Sequence, residues 1–217
     1  MLFETPDGPV DVEPTDLTIA GWTGRDTDAV AHHIAELAAI GIPAPSTTPL
    51  FYRVAASLLT QAARVEVLGT ETSGEAEPFL LRAGGRLWLG IGSDHTDRAL
   101  ERVSVAASKQ VCPKPVGTTL WSFETLSHRL DTLVLTSEIE EDGTWYLYQS
   151  GTLAAIRSLA ELLQAVPLPE GQAMMCGTLA AIGGIRPARR FRAKLEDPET
   201  GRSLALDYET KVLPVVA

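Results

Sequence analysis

The sequence predicts an α+β fold in which strands dominate. Three observations carry that prediction. Two glycine turns, Gly84-Gly85 and Asp142-Gly143, sit between apolar or alternating runs of strand length, the pattern of antiparallel hairpins. Stretches near residues 27–40 and 155–165 read as helices and Val54–Ala63 as a helix or helical turn, so strands outnumber them. Hydrophobic residues make up 45% of the 217 positions and charged residues 21%, which fills a core and excludes disorder as the main state.

Taken in order, Leu17-Thr18-Ile19-Ala20 is a strand after a Pro- and Asp-rich entry. The glycine-punctuated loop Gly21–Asp26 follows, and Asp26 or Thr27 caps a helix running to about Ile40. Val30, Ile34 and Leu37 form its apolar stripe, and Gly41 and Pro43 end it. Pro43, Pro45 and Pro49 force an extended crossing into a helix or helical turn at Val54–Ala63. The chain then turns to strands: Val65–Leu68, the hairpin Glu75–Ala83 with Arg86–Gly92, and the hairpin Leu130–Glu140 with Thr144–Gln149. A helix at Ala155–Ala165 stops before Pro167 and Pro169. Ala173–Cys176 is a short buried strand, and Phe191–Glu196 with Ser203–Tyr208 makes a last hairpin. There is no internal repeat and no low-complexity linker. The expectation is one domain over residues 1–217, with a helical arm at about 1–60 laid against a β core at about 61–217.

Charge excludes several function classes. Eighteen basic against 28 acidic residues leave a formal charge of −10, with no basic block to release counterions from a nucleic acid or to bind anionic lipid. No run of about 18 apolar residues exists to span a bilayer. Met1-Leu2-Phe3-Glu4-Thr5-Pro6-Asp7 lacks the basic start and apolar core of a signal peptide, and Cys112 and Cys176 lie far apart with no metal-ligand spacing. The expectation is a cytoplasmic protein with reduced thiols.

Five constellations have the residue types that chemistry requires. Glu75 and Glu77, at i and i+2 on a strand, share one face about 7 Å apart at the backbone and can converge on a cation; an edge strand with a solvated acidic face has the same spacing. The apolar strand Leu87–Ile91 runs into Ser93-Asp94-His95-Thr96-Asp97-Arg98. Because Gly84-Gly85 folds this strand back on the first, Asp94 approaches Glu75 and Glu77, and three carboxylates at one point require a compensating cation. An all-oxygen set suits Mg²⁺, Mn²⁺ or Ca²⁺ rather than zinc, with His95 a weak zinc candidate. The bland alternative has Asp94 or Asp97 capping a helix near Arg98. On the first helix, His33 and Glu36 (i,i+3) or His32 and Glu36 (i,i+4) pair an imidazole with a carboxylate, which builds a general base or is simply a surface contact. Lys109 and Lys114 flank a proline-constrained loop suited to a carboxylate, and Cys176-Gly177-Thr178 offers an N–H and a hydroxyl to an anion.

In this order the motifs resemble the fumarylacetoacetate hydrolase (FAH) superfamily, which carries Glu-x-Glu, then Asn-Asp-x-Thr-x-Arg, a Lys in a Gly/Pro-rich loop and a late Gly-Thr. The matching residues are Glu75-Ala76-Glu77, Ser93–Arg98, Lys109 and Gly177-Thr178, with His33-Ile34-Ala35-Glu36 resembling an early His-x-x-Glu on a helix that closes over the site. The likeness spans roughly residues 17–215. Ser93 stands where the family has Asn, Asp94 follows Glu77 by only 17 positions, and the Lys109 loop lacks its usual Gly and Phe; these features resemble a divergent bacterial branch, similar to DUF2848. The resemblance implies a mostly β FAH-like roll of mixed sheets with small helices and an N-terminal helical segment. It implies Mg²⁺ or Mn²⁺ (or Ca²⁺) on Glu75, Glu77 and Asp94. Substrate contacts would come from Arg98, Lys109 and Thr178, and acid/base work from His33, Glu36 and Lys109. It implies hydrolysis or lysis of a C–C bond in a small 2-oxo or 1,3-dicarbonyl acid. Hydratase, decarboxylase or isomerase action, or a non-catalytic binding role, is the alternative. The implied assembly is a homodimer.

Overall fold

The computed structural model describes residues 1–39 and 44–216, without the side chains of 33, 36, 37 and 39. Its strands form two main sheets. The larger contains Asp16–Gly21 (β1), Leu50–Val54 (β2), Ala76–Ala83 (β4), Arg86–Ser93 (β5), Trp121–Ser122 (β6) and Gln172–Met175 (β9), in the order β6-β5-β4-β9-β1-β2. The smaller contains Arg64–Leu68 (β3), Val134–Glu141 (β7), Thr144–Thr152 (β8), Arg190–Asp197 (β10) and Arg202–Leu213 (β11), in the order β8-β7-β10-β11-β3. Both sheets are mixed: β9 runs parallel to β1, and β11 parallel to β3. The fold is therefore α+β and mostly β, as the hairpin signals predict.

The larger sheet is buried on both faces, which is why β4 and β5 read as near-continuous apolar runs. Leu80, Leu87, Leu89 and Ile91 face Leu135, Phe191, Leu195 and Leu206 of the smaller sheet. Phe79, Leu81, Trp88 and Met175 face the other way, against Phe3, Leu17, Ile19, Val116 and Leu120. At the β4–β5 turn both glycines take positive φ, 62° and 73°, and Glu170 accepts hydrogen bonds from their two N–H groups. The N-terminal sixty residues supply β1 and β2 as well as the helix Thr27–Ala39 (α1), which Asp26 caps by accepting from the N–H groups of Asp28 and Ala29.

Three local expectations shift. Val54–Ala63 holds one 3₁₀ turn, Ala56–Leu58, followed by the short strand Leu59–Thr60 that pairs with Lys114–Pro115. The helix expected from Ala155 starts instead at Leu159 (α4, Leu159–Ala165), because Ser158 and Glu161 form a capping box there. Lys109 belongs to a short helix, Val105–Gln110 (α3), capped by Ser104, rather than to a loop. It follows the still shorter Arg98–Glu101 (α2), which Asp97 caps. Among the described residues no helix is long and apolar enough to cross a membrane.

Candidate metal centre

The centre is built on the β4–β5 hairpin. Register pairs Ala76 with Ser93 and Glu77 with Gly92, and the Asp94 N–H donates to the Glu75 carbonyl at 3.0 Å, extending the ladder by one step. The period of two then turns Ala76 into the core and puts Glu75 and Glu77 on the other face, where Asp94 joins them. One oxygen from each carboxylate lies within 4.8 Å of the others. Glu77 and Asp94 are buried and Glu75 is half-buried.

Three cations surround them. Lys109 Nζ forms an ion pair with Asp94 Oδ2 and stands 3.9 Å from Glu75. Lys114, fully buried, donates to the His95 carbonyl at 2.5 Å and places Nζ 3.1 Å from Asp94 Oδ1. Arg98 lies 3.1 Å from Glu75, 2.9 Å from Glu101 and 2.7 Å from Ser73 Oγ. Burial opposes charge on Asp94, but the two ammonium groups win and hold its carboxyl down at about 2. Glu77 goes the other way: burial, with Asp94 and Glu75 beside it, holds its carboxyl well above the usual range despite an N–H donated by Gly177 at 2.7 Å. Burial lowers the basicity of Lys109, yet the carboxylates outweigh it and keep the ammonium charged.

The donor set fits a hard cation. It is all oxygen, and Asp94 Oδ1 is fully buried with the Lys114 ammonium 3.1 Å away as its counter-charge. Glu75, Glu77 and Lys109 line a cavity of about 880 Å³ that Arg98, Gly177, Thr178 and Gln149 also border. The structure thus brings together Glu75, Glu77, Asp94, Arg98, Lys109 and Thr178. Of the two helix-capping alternatives, Asp97 is the cap, accepting from the Leu100 N–H at 2.9 Å, and Asp94 is not. The Gly177 N–H predicted for an external anion is taken by Glu77. Thr178 donates its hydroxyl to the Ala76 carbonyl at 2.8 Å and accepts from Gln149 at 2.5 Å. The side chains of His33 and Glu36 lie outside the described residues; the preceding turn of α1 borders the cavity through Ala29 and Val30.

Two residues that sequence reasoning missed hold the centre from the smaller sheet. The Tyr208 hydroxyl lies 2.9 Å from both Ser93 Oγ and His95 Nδ1, and Ser93 Oγ in turn accepts from the Glu75 N–H at 3.2 Å. His95 has its other nitrogen 2.9 Å from Thr72 Oγ1, so neither ring nitrogen is left for zinc; burial pushes this imidazole down to about 3. Gln149 accepts from the Ala76 N–H at 3.0 Å and from Ser137 at 2.7 Å. The signal for both was weak: each is a strand residue that belongs to no motif.

A family model described as protein of unknown function (DUF2848) matches residues 20–208. The chain belongs to the DUF2848 family. No curated protein matches this DUF2848 chain in sequence. Among solved structures, Cg1458 with inhibitor superposes with a TM-score of 0.67 at 18% identity, over 95% of this chain and 79% of that one. 2-Keto-3-deoxy-D-arabinonate dehydratase complexed with magnesium and 2,5-dioxopentanoate gives 0.65 at 16%, over 93% and 74%. Maleylpyruvate hydrolase from Sphingobium sp. SYK-6 gives 0.60 at 14%, over 92% and 72%. At these identities the likeness establishes the fold, and the fold is the FAH type that the motif order implies.

Proposed function

We propose that this DUF2848 protein is a divalent-metal-dependent enzyme that hydrolyses or lyses a C–C bond of a small 2-oxo or 1,3-dicarbonyl acid. The observation that carries the proposal is the meeting of Glu75, Glu77 and Asp94 at one point, with Glu75, Glu77 and Lys109 in the wall of a large cavity and Asp94 buried behind them. A hard cation on these carboxylates supplies Lewis-acid stabilisation of the enolate charge that such reactions develop.

The chain's own groups divide the remaining work. Lys109 holds the substrate carboxylate or the developing oxyanion, exchanging part of its pairing with Asp94 for that contact. Arg98 fixes Glu75 through Oε1, which leaves Oε2 turned toward Lys109, and presents its cavity edge to the substrate. Thr178 has spent its proton on the Ala76 carbonyl, so its oxygen accepts from water or a substrate hydroxyl. His33, made more basic by Glu36, moves the proton or activates water once α1 settles over the cavity. The dehydratase relative solved with 2,5-dioxopentanoate favours one second reading, loss of water from the same substrate class. The family resemblance adds a homodimer to the proposal.

Mn²⁺ titration of the wild type and of Glu75→Gln tests the centre: the variant binds weakly and loses metal-dependent thermal stabilisation. Equal affinities refute the assignment. Incubation of the Mg²⁺-loaded protein with a panel of oxo acids, read by mass spectrometry, separates C–C cleavage from dehydration.

A further inference from the structure

The cavity is larger than a three- or four-carbon acid needs, and its wall beyond the carboxylates has a distinct composition. Trp22, the residue after β1, and Tyr52, on the neighbouring strand β2, stand at that wall. Trp22 has φ 59°, in the left-handed region. The other non-glycine residue with positive φ among the described residues is Asp142, which a hairpin turn accounts for. A bulky residue held there costs backbone energy and persists only where its surroundings fix it, a pattern that concentrates at ligand sites. The surroundings do fix it. Gly21 has no Cβ, and one would meet the Tyr52 ring at 2.8 Å. On the other side Thr23 is buried and fills the space a Cβ on Gly177 would occupy.

The indole N–H donates to the Tyr52 hydroxyl at 3.2 Å. Its polar edge is therefore satisfied, and what the pair offers the cavity is π surface. The Tyr52 ring centroid lies 5.8 Å from Lys109 Nζ, so the aromatic wall begins beside the carboxylate cluster and continues outward. Val30, Leu179 and Ile185 add further apolar lining. The cations at the cavity are otherwise engaged: Arg186 pairs with Glu141 at 2.6 Å, and Arg98 and Lys109 pair within the centre. Arg102 is the one lining cation without an ion pair among the described residues, and it is exposed.

We infer that Trp22 and Tyr52 are specificity-determining residues that seat a flat, apolar tail, so that the substrate is an oxo acid with an aryl or extended conjugated group rather than a second carboxylate. This rests on the oxo-acid reading above and narrows its substrate class. The strained backbone of Trp22 is what aims the indole at that tail.

Equilibrium titrations of the Mg²⁺-loaded protein with oxalate, pyruvate, phenylpyruvate and 2-oxoglutarate test it. Oxalate chelates through two oxygens and has no tail. Phenylpyruvate is expected to bind about tenfold or more tighter than pyruvate, with 2-oxoglutarate gaining nothing. Trp22→Gly places at φ 59° the residue that tolerates it, so the metal-free protein keeps or raises its Tm. The same variant loses about tenfold in phenylpyruvate affinity and leaves pyruvate and oxalate unchanged. Tightest binding of 2-oxoglutarate overturns the inference and assigns Arg102 as a tail anchor. Unchanged phenylpyruvate affinity in Trp22→Gly, or a lowered Tm with no change in affinity, makes Trp22 a packing residue and also overturns it. Failure to bind oxalate overturns the oxo-acid reading itself, and this inference with it.

Discussion

Replacing Glu77 by Gln removes one negative charge from the most crowded part of the centre and keeps the side-chain shape. Its carboxylate has a ligand oxygen within 4.8 Å of one on Glu75 and one on Asp94. At that distance each like-charge pair costs about 3–4 kcal/mol at an effective dielectric near 20. Lys109 and the Gly177 N–H offset part of this, and the remainder is what raises the Glu77 carboxyl above its ordinary 4.5. A carboxyl raised in the folded state binds more protons there than in the unfolded chain. Metal-free stability therefore falls as pH rises from about 4.5 toward the raised value, and stays lowered above it. Glu77→Gln is free of that loss. At pH 8 without metal it is expected to be more stable than wild type by about 1–2 kcal/mol, or roughly 2–8 °C in Tm. Near pH 4.5 the difference closes. Saturating Mg²⁺ reverses the order, because it stabilises the wild type and not the variant. Scanning fluorimetry at both pH values, with Mg²⁺ and with chelator, reads all of this. A variant less stable than wild type at pH 8 in chelator, yet still raised by Mg²⁺, refutes both the repulsion argument and the role of Glu77 as a ligand.

The two lysines and the second-sheet contacts give further tests. Lys114→Met leaves Asp94 buried with one cation fewer and should cost about 3–5 kcal/mol, seen as a fall in denaturant midpoint that Mg²⁺ partly restores. Tyr208→Phe strips the hydroxyl between Ser93 and His95; a loss of about 1–3 kcal/mol and a weaker Mn²⁺ affinity are expected from calorimetry and titration. Asp94 has its carboxyl lowered to about 2, so its ionic stabilisation is present above pH 3.8 and disappears as pH falls through that interval; acid unfolding of Asp94→Asn should lack that component.

Much of the centre was legible because it is local. Glu75, Glu77 and Asp94 are separated by one short hairpin, and a period of two with a two-glycine turn fixes which side chains meet. Lys109 was legible as one of two lysines suited to a carboxylate, and the resemblance alone singled it out from Lys114; its helix was hidden because Pro113 and Pro115 made the stretch look like a loop, whereas Ser104 caps α3 upstream of them. Gln149 was not legible at all. Tyr148 and Gln149 are adjacent, yet both are buried, because the β7–β8 register shifts between Ser137 and Glu138. An alternating pattern puts one of two neighbours outside, so the bulge defeats the rule that works for Glu75 and Glu77. Tyr208 follows the rule and is inward, but alternation cannot say which strand end its hydroxyl meets across the sheets.

The position of β9 has a consequence for how the protein is made. It lies between β4 and β1, although its residues follow those of β1 by about 150 positions. A growing polypeptide can pair β4 with β5 and β1 with β2 early, but these two pieces stay unjoined, each with a bare edge, until Met175 has left the ribosome. Residues 75–114, with the three carboxylates and both lysines, are complete long before that moment. The nascent chain thus has its cation-binding half in hand while Gly177, which follows the missing strand, has not yet met Thr23 beside Trp22 to enclose a cavity.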